Sequence, residues 1–285
     1  MKQTPEGKVD RYKARLVAKG DLQEEVYMEI PPGFTSIETN GKSNADHTMF
    51  FCHNKGKVAI LIVYVDDIIL TDDDLSELAR LKTQLAQSFE VKDLDNLRYF
   101  SEIEVARSSH AIFLSQRKYI LDLLTETEIL RCRSAVTPIE QNHRLTTDSG
   151  KSVDRERYQH LVGKLIYLSH TRPDIAFTIN VVSQYMHDSR ESHQETVYRI
   201  FRYLKGCPGR DLFFSHHKHL NVEAYSDADW AGSIDNRRSI SSYCIFIGGN
   251  LVTWRSKKQD IVARSSAEAE YRAMAQGICE VIWLK

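Results

Sequence analysis

The chain has 285 residues, of which 42% are apolar and 27% charged, with a net charge of −1. This is an ordinary globular composition of about two domains' length, and it excludes a collagenous, disordered or strongly basic protein. The longest apolar run, residues 58–65, is far too short to cross a bilayer, and the first residues have no apolar stretch behind them, so no secretory signal is expected. The five cysteines are scattered and never form a CxxC pair. That points to an intracellular location, cytoplasmic or nuclear, and away from a disulfide framework or zinc site.

Residues 1–56 are poorly organised. Pro31-Pro32-Gly33 and the polar stretch 35–44 break any continuous pattern. From Lys57 the texture changes, and KVAILIVYVDDIILT (residues 57–71) places Asp66 and Asp67 between two aliphatic runs. The spacing predicts strands at 58–64 and 68–71 joined by a tight turn at 65–67. Two carboxylates at such a tip suit a hard divalent cation; they equally suit a turn whose aspartates bond nearby backbone N–H groups. Residues 71–74 can cap a helix over 75–89 with leucines at helical spacing. A strand pair follows at 96–107 and 111–115, then an amphipathic helix at 116–128.

Residues 140–155 are polar and turn-rich and read as a linker. Two helices span 157–187, interrupted at Thr171-Arg172-Pro173-Asp174, with Pro173 in a first turn where it does no harm. A third helix covers 189–204. Its end lies within VYRIFRYLKGCPGR (residues 197–210), which carries Arg199, Arg202, Lys205 and Arg210 and no acid. This is either a local nucleic-acid contact or a solvated basic face. His216, His217 and His219 cluster without acidic or cysteine partners at ligand spacing and read as a solvated loop.

The last stretch reads as a strand at 221–227, a hairpin of 241–247 and 250–256 around Gly248-Gly249, and a helix from Ser266 onward. Asp227 ends the first strand and Glu270 lies one turn into the helix. A carboxylate on a strand and another on the helix packed across it can converge on metal ions, as two-metal phosphoryl chemistry requires. Asp229 and Glu268 compete for the same role, because strand alternation puts Asp227 and Asp229 on one face. A plain turn and a solvated helix face remain the alternative for both.

Taken together, the chain resembles the C-terminal part of a copia-type retrotransposon Pol polyprotein. RYKARLVAKG, VYMEIPPGF, ADHTMFF, ILIVYVDDIILT, LSQRKYILDLL, GKLIYLSHTRPDIAF, RYLKGCPG, YSDADWAG and SSAEAEYRAMA match in family order and cover nearly the whole chain. The resemblance implies an α+β chain: a partial reverse-transcriptase palm with its YVDD hairpin, a helical thumb or connection region, and a truncated ribonuclease H-like domain. The corresponding ranges are 1–56 for residual fingers and palm pieces, 57–139 for the palm remainder, 140–211 for the connection and 212–285 for the ribonuclease H-like part. It implies RNA-directed DNA polymerase and ribonuclease H chemistry with Mg²⁺, acting on RNA, DNA and the RNA–DNA hybrid, with no membrane partner. Asp66 and Asp67 correspond to polymerase carboxylates, and Asp227 and Glu270 to the first two ribonuclease H ligands.

The departures from the family pattern point to damaged sites. Gly20 runs straight into Asp21 where the family has a long segment carrying the third polymerase carboxylate. A second gap falls near residues 41–44. None of the upstream acids, Glu6, Asp10, Asp21, Glu24, Glu25, Glu29, Glu38 and Asp46, lies in an apolar strand context. Glu102 stands where glycine is usual, and Lys285 precedes the strand expected to bear the next ribonuclease H aspartate. The expectation is a polypeptide of polymerase and ribonuclease H descent that is inactive here, or a non-catalytic remnant that at most binds nucleic acid.

Overall fold

The computed structural model describes residues 12–18, 41–42, 48–54, 56–64, 67–72, 74–141, 143, 145–147, 150–210 and 212–284, with residues 12–18, 41–42 and 53–54 as backbone only. It is a mixed α and β chain that divides into two units, Met1–Ser101 and Glu102–Lys285.

The first unit is built on a six-stranded sheet. Its strands are β1 (Tyr12–Ala18), β2 (Gly41–Lys42), β3 (Met49–Asn54), β4 (Lys57–Tyr64), β5 (Asp67–Asp72) and β6 (Val91–Asp93), in the order β2-β3-β4-β5-β1-β6 with antiparallel neighbours. Ala59 and Leu61 alternate inward along β4, as a strand with one covered face should. β5 buries Ile68, Ile69 and Leu70 consecutively. The helix α1 (Leu75–Ser88) buries Leu78, Leu81 and Leu85, one stripe at helical spacing, in the same core as Phe50, Leu61 and Leu70. Asp74 caps it by accepting from the Ser76 N–H at 2.9 Å. Lys57 lies 2.6 Å from Asp74 and, with Ser76, holds that carboxyl far below the usual range. The helix stops one residue short of Phe89, which is exposed. A short strand, β7 (Tyr99–Phe100), completes the unit.

The sequence texture left residues 1–56 poorly organised, yet β1, β2 and β3 belong to this sheet. Strand pairing uses backbone groups, so β1 and β2 complete the ladder without a strong sequence pattern, while β3 also brings Phe50 and Cys52 into the core.

The second unit begins with β8 (Ile103–Arg107) and β9 (Ala111–Ser115), continues through α2 (Arg117–Glu126), α3 (Arg155–Leu168), α4 (Ala176–Ser183) and α5 (Glu191–Gly206), and returns with β10 (Leu212–Ser215) antiparallel to β9. The helices share one core that includes Leu124, Tyr158, Leu165, Val197 and Phe201. Then come β11 (Val222–Asp229), β12 (Ile240–Ile247), β13 (Asn250–Lys258) and α6 (Ser266–Leu284). The three strands form an antiparallel sheet in the order β11-β12-β13, with α6 packed against β11 and β12. Gly248 and Gly249 turn the β12–β13 hairpin at φ +56° and +74°, the left-handed region that such two-residue turns require.

The linker-like segment is pinned: Leu145 O accepts from Tyr185 Oη at 2.9 Å, Thr146 O from His193 Nε2 at 2.9 Å, and Thr147 N–H donates to Asp235 at 3.2 Å. Among the described residues no helix is long and apolar enough to cross a membrane.

Candidate functional site

Asp67 opens β5, paired with Tyr64 of β4 on one side and with Val17 of β1 on the other. Asp66, the other expected polymerase carboxylate, lies outside the described residues, as does Val65. Tyr64 is exposed and meets Phe100 edge-on at 5.8 Å between ring centroids. The strand beside Asp67 is made by YKARLVA, whose charged residues are Lys13 and Arg15. Among the described strands of this sheet the other carboxylates are Asp72 and Asp93. Asp72 is buried at the far end of β5 and accepts from the Asp74 N–H at 2.7 Å. Asp93 lies 2.6 Å from Lys82.

The four acids of the second candidate region differ in their surroundings. Asp227 is exposed on β11, and Asp229 ends that strand on the same face. The Asp229 carboxylate lies over Gly232, where a Cβ would overlap it, so it is fitted to the turn after the strand. Glu268, unlike Asp229, is committed: it accepts from the Arg264 N–H at 2.8 Å and from Arg272 at 2.8 Å. Its own N–H donates to Ser265 Oγ at 3.2 Å, much like a capping box. These contacts hold the Glu268 carboxyl below its usual range, the Arg264 N–H first and then Arg272. Asp227 and Glu270 have no hydrogen-bond or ion-pair partner among the described residues. Beside Asp227 in register stand Ser242 and then Ser256, whose hydroxyls are 3.2 Å apart. Sequence reading passed over Gly232 and the two serines; the short SDADWAG spacing was the available signal for the glycine.

Among the described residues no three His, Cys, Asp or Glu side chains are grouped to hold a metal ion. In the histidine loop, His217 Nε2 is 2.7 Å from Ser215 Oγ and its ring 5.9 Å from that of His219.

The basic run on α5 is mostly turned to internal use. Arg199 reaches Glu140 at 2.9 Å and Thr137 O at 3.2 Å, Arg202 reaches Glu195 at 2.6 Å, and Lys205 donates to Cys132 O at 2.6 Å. Three of these contacts hold the segment 132–140 along the helix. Beneath its C-terminal end Arg172 is buried. It makes a two-pronged pair with Asp174 at 2.8 and 2.7 Å and donates to Cys207 O at 3.0 Å. Tyr203 donates to Asp174 at 2.7 Å. Although burial opposes it, these bonds leave the Asp174 carboxyl lowered.

Comparison with known proteins places this geometry in a lineage. Residues 37–141 match the family described as Reverse transcriptase (RNA-dependent DNA polymerase). The chain is 37% identical to the Retrovirus-related Pol polyprotein from transposon RE2 of Arabidopsis thaliana, over 93% of the chain and 21% of that protein. It is 32% identical to the Retrovirus-related Pol polyprotein from transposon TNT 1-94 of Nicotiana tabacum, over 93% of the chain and 23% of that protein. It is 38% identical to the Uncharacterized mitochondrial protein AtMg00810 of Arabidopsis thaliana, over 78% of the chain and 93% of that protein. The chain thus spans about a fifth of the length of the Pol polyproteins it matches. No solved structure matches it. The chain belongs to the reverse-transcriptase family carried by the Pol polyproteins of copia-type retrotransposons.

Proposed function

We propose that the chain is a nucleic-acid-binding member of this family that does not polymerise DNA. The observation that carries the reading is the register of β1 on β5, which sets Val17 opposite Asp67 on a strand with no carboxylate. Two Mg²⁺ ions at polymerase spacing must be bridged and balanced by several carboxylates. The described residues around Asp67 do not fit that requirement. Nucleic-acid binding is taken from the family, with RNA, DNA or their hybrid as partner. Fluorescence anisotropy with a labelled RNA–DNA hybrid tests it: affinity should fall steeply as salt rises, because basic side chains displace phosphate counterions. No binding at low ionic strength would refute the reading.

A second reading has its own support. The unpartnered state of Asp227 and Glu270, beside the committed Glu268, favours a ribonuclease H-like unit over residues 222–284. Here the donors fit a hard divalent cation: two carboxylates on neighbouring elements, neither neutralised by a described residue. Mg²⁺ held there would polarise a phosphodiester and activate water, while Asp227 and Glu270 supply the negative charge that retains it. Titration of the whole chain with Mn²⁺, followed by electron paramagnetic resonance, should show binding at this unit that Asp227→Asn abolishes and Asp229→Asn spares. Loss in the Asp229 variant alone would reverse the assignment.

A further inference from the structure

A pocket of about 370 Å³ opens where the loop before α4 meets the end of α5, lined by Thr171, Arg172, Pro173, Asp174, Arg210 and Leu212. Its size is at the low end of ligand pockets, enough for the phosphate and sugar of one nucleotide. Among the described residues the charges around it do not cancel. Asp174 is already the two-pronged partner of the buried Arg172 and accepts from Tyr203 as well. Arg210 lies 3.5 Å from Asp174, so two guanidiniums share one carboxylate. The side chain of Arg210 is 62% exposed, and its Nη1 donates to Tyr203 Oη at 2.9 Å. Its guanidinium carbon stands 5.9 Å from the Tyr203 ring centroid. Among the described residues Nε and Nη2 of Arg210 have no partner. The cation is therefore oriented by a phenol that is itself anchored, with donors left over. By contrast, Arg199 and Arg202 face Glu140 and Glu195.

We infer that this pocket receives one phosphate of a nucleic-acid backbone, bound by Arg210. The inference rests on the nucleic-acid-binding reading above and names the contact within it. A planar guanidinium with free N–H donors matches phosphate oxygens in pairs, and Pro173 and Leu212 offer an apolar wall to the sugar.

The test is hybrid binding by the whole chain across a salt series. Arg210→Ala should weaken binding about tenfold and lower the slope of log affinity against log salt by about one. Arg210→Lys should keep most of the slope, which separates loss of charge from disturbance of Tyr203. Arg202→Gln, removing a cation already opposed by Glu195, should change affinity by less than about twofold. An unchanged slope in Arg210→Ala, with the parent chain binding, overturns the assignment and leaves the broader reading intact. Absence of binding by the parent chain removes both. Perturbation of the Arg210 side-chain resonances by inorganic phosphate, with hybrid binding unaffected by the substitution, would make this a site for free phosphate and also overturn it.

Discussion

Val17 is paired with Asp67 across the β1–β5 ladder. Residues directly opposite in an antiparallel pair project to the same face, so a carboxylate at position 17 would stand beside the one at 67. Val17→Asp should therefore lower stability by up to about 1 kcal/mol without metal, through like-charge repulsion, and Mn²⁺ should restore it. Thermal denaturation with and without Mn²⁺ measures both. A metal-independent loss would mean that the two positions do not share a site.

The Arg172–Asp174 pair gives a sharper stability prediction. Arg172 is buried and its charge is balanced by Asp174. Asp174→Asn removes the balancing charge and should cost about 3–5 kcal/mol in urea unfolding. A loss under about 1 kcal/mol would show that the pair is solvated.

His193 should make stability depend on pH. Its ring is buried and stacked on Tyr185 with centroids 3.8 Å apart. Nδ1 accepts from the Arg190 N–H at 3.0 Å and Nε2 donates to Thr146 O. That is the neutral form, and burial pushes the imidazole below its ordinary value. The unfolded chain then binds the proton more readily, so stability is full above roughly pH 6.5 and falls as the pH drops below it. Asp235, Asp188 and Arg190 are the charged groups facing the ring, and His143 shifts in the same direction through burial. His193→Ala should lower stability at neutral pH and flatten the acid slope of the denaturation midpoint. An unchanged slope would assign the pH dependence elsewhere.

Glu102 has φ +60°, next to Ser101 at +45°. An L-residue in this region carries a strain of about 1–2 kcal/mol that glycine escapes. Glu102→Gly should raise stability by about 1 kcal/mol, with Glu102→Ala giving no comparable gain. A destabilised glycine variant would mean that the side chain's own contacts outweigh the strain.

Parts of this architecture are written in local pattern. The leucine spacing of α1, the two glycines between β12 and β13, and the long run of α6 each specify their element without outside help. β1 and β10 are different, because each is a strand only by virtue of a partner distant in sequence, β5 for one and β9 for the other. The same limit applied to the sites. Asp227 and Asp229 share a strand period, and the closeness of Asp229 to the turn at Gly232 appears only in the folded chain. The basic face of α5 was legible as a face, but Glu140, Glu195 and the Cys132 carbonyl that occupy it were not, and neither was the pocket that singles out Arg210.

The most direct test of the central claim is primer extension on an RNA template with Mg²⁺ by the purified chain. The arrangement of Val17 opposite Asp67 predicts no nucleotide incorporation above background. Incorporation that Asp66→Asn abolishes would contradict it and show that a complete metal site is assembled around these aspartates.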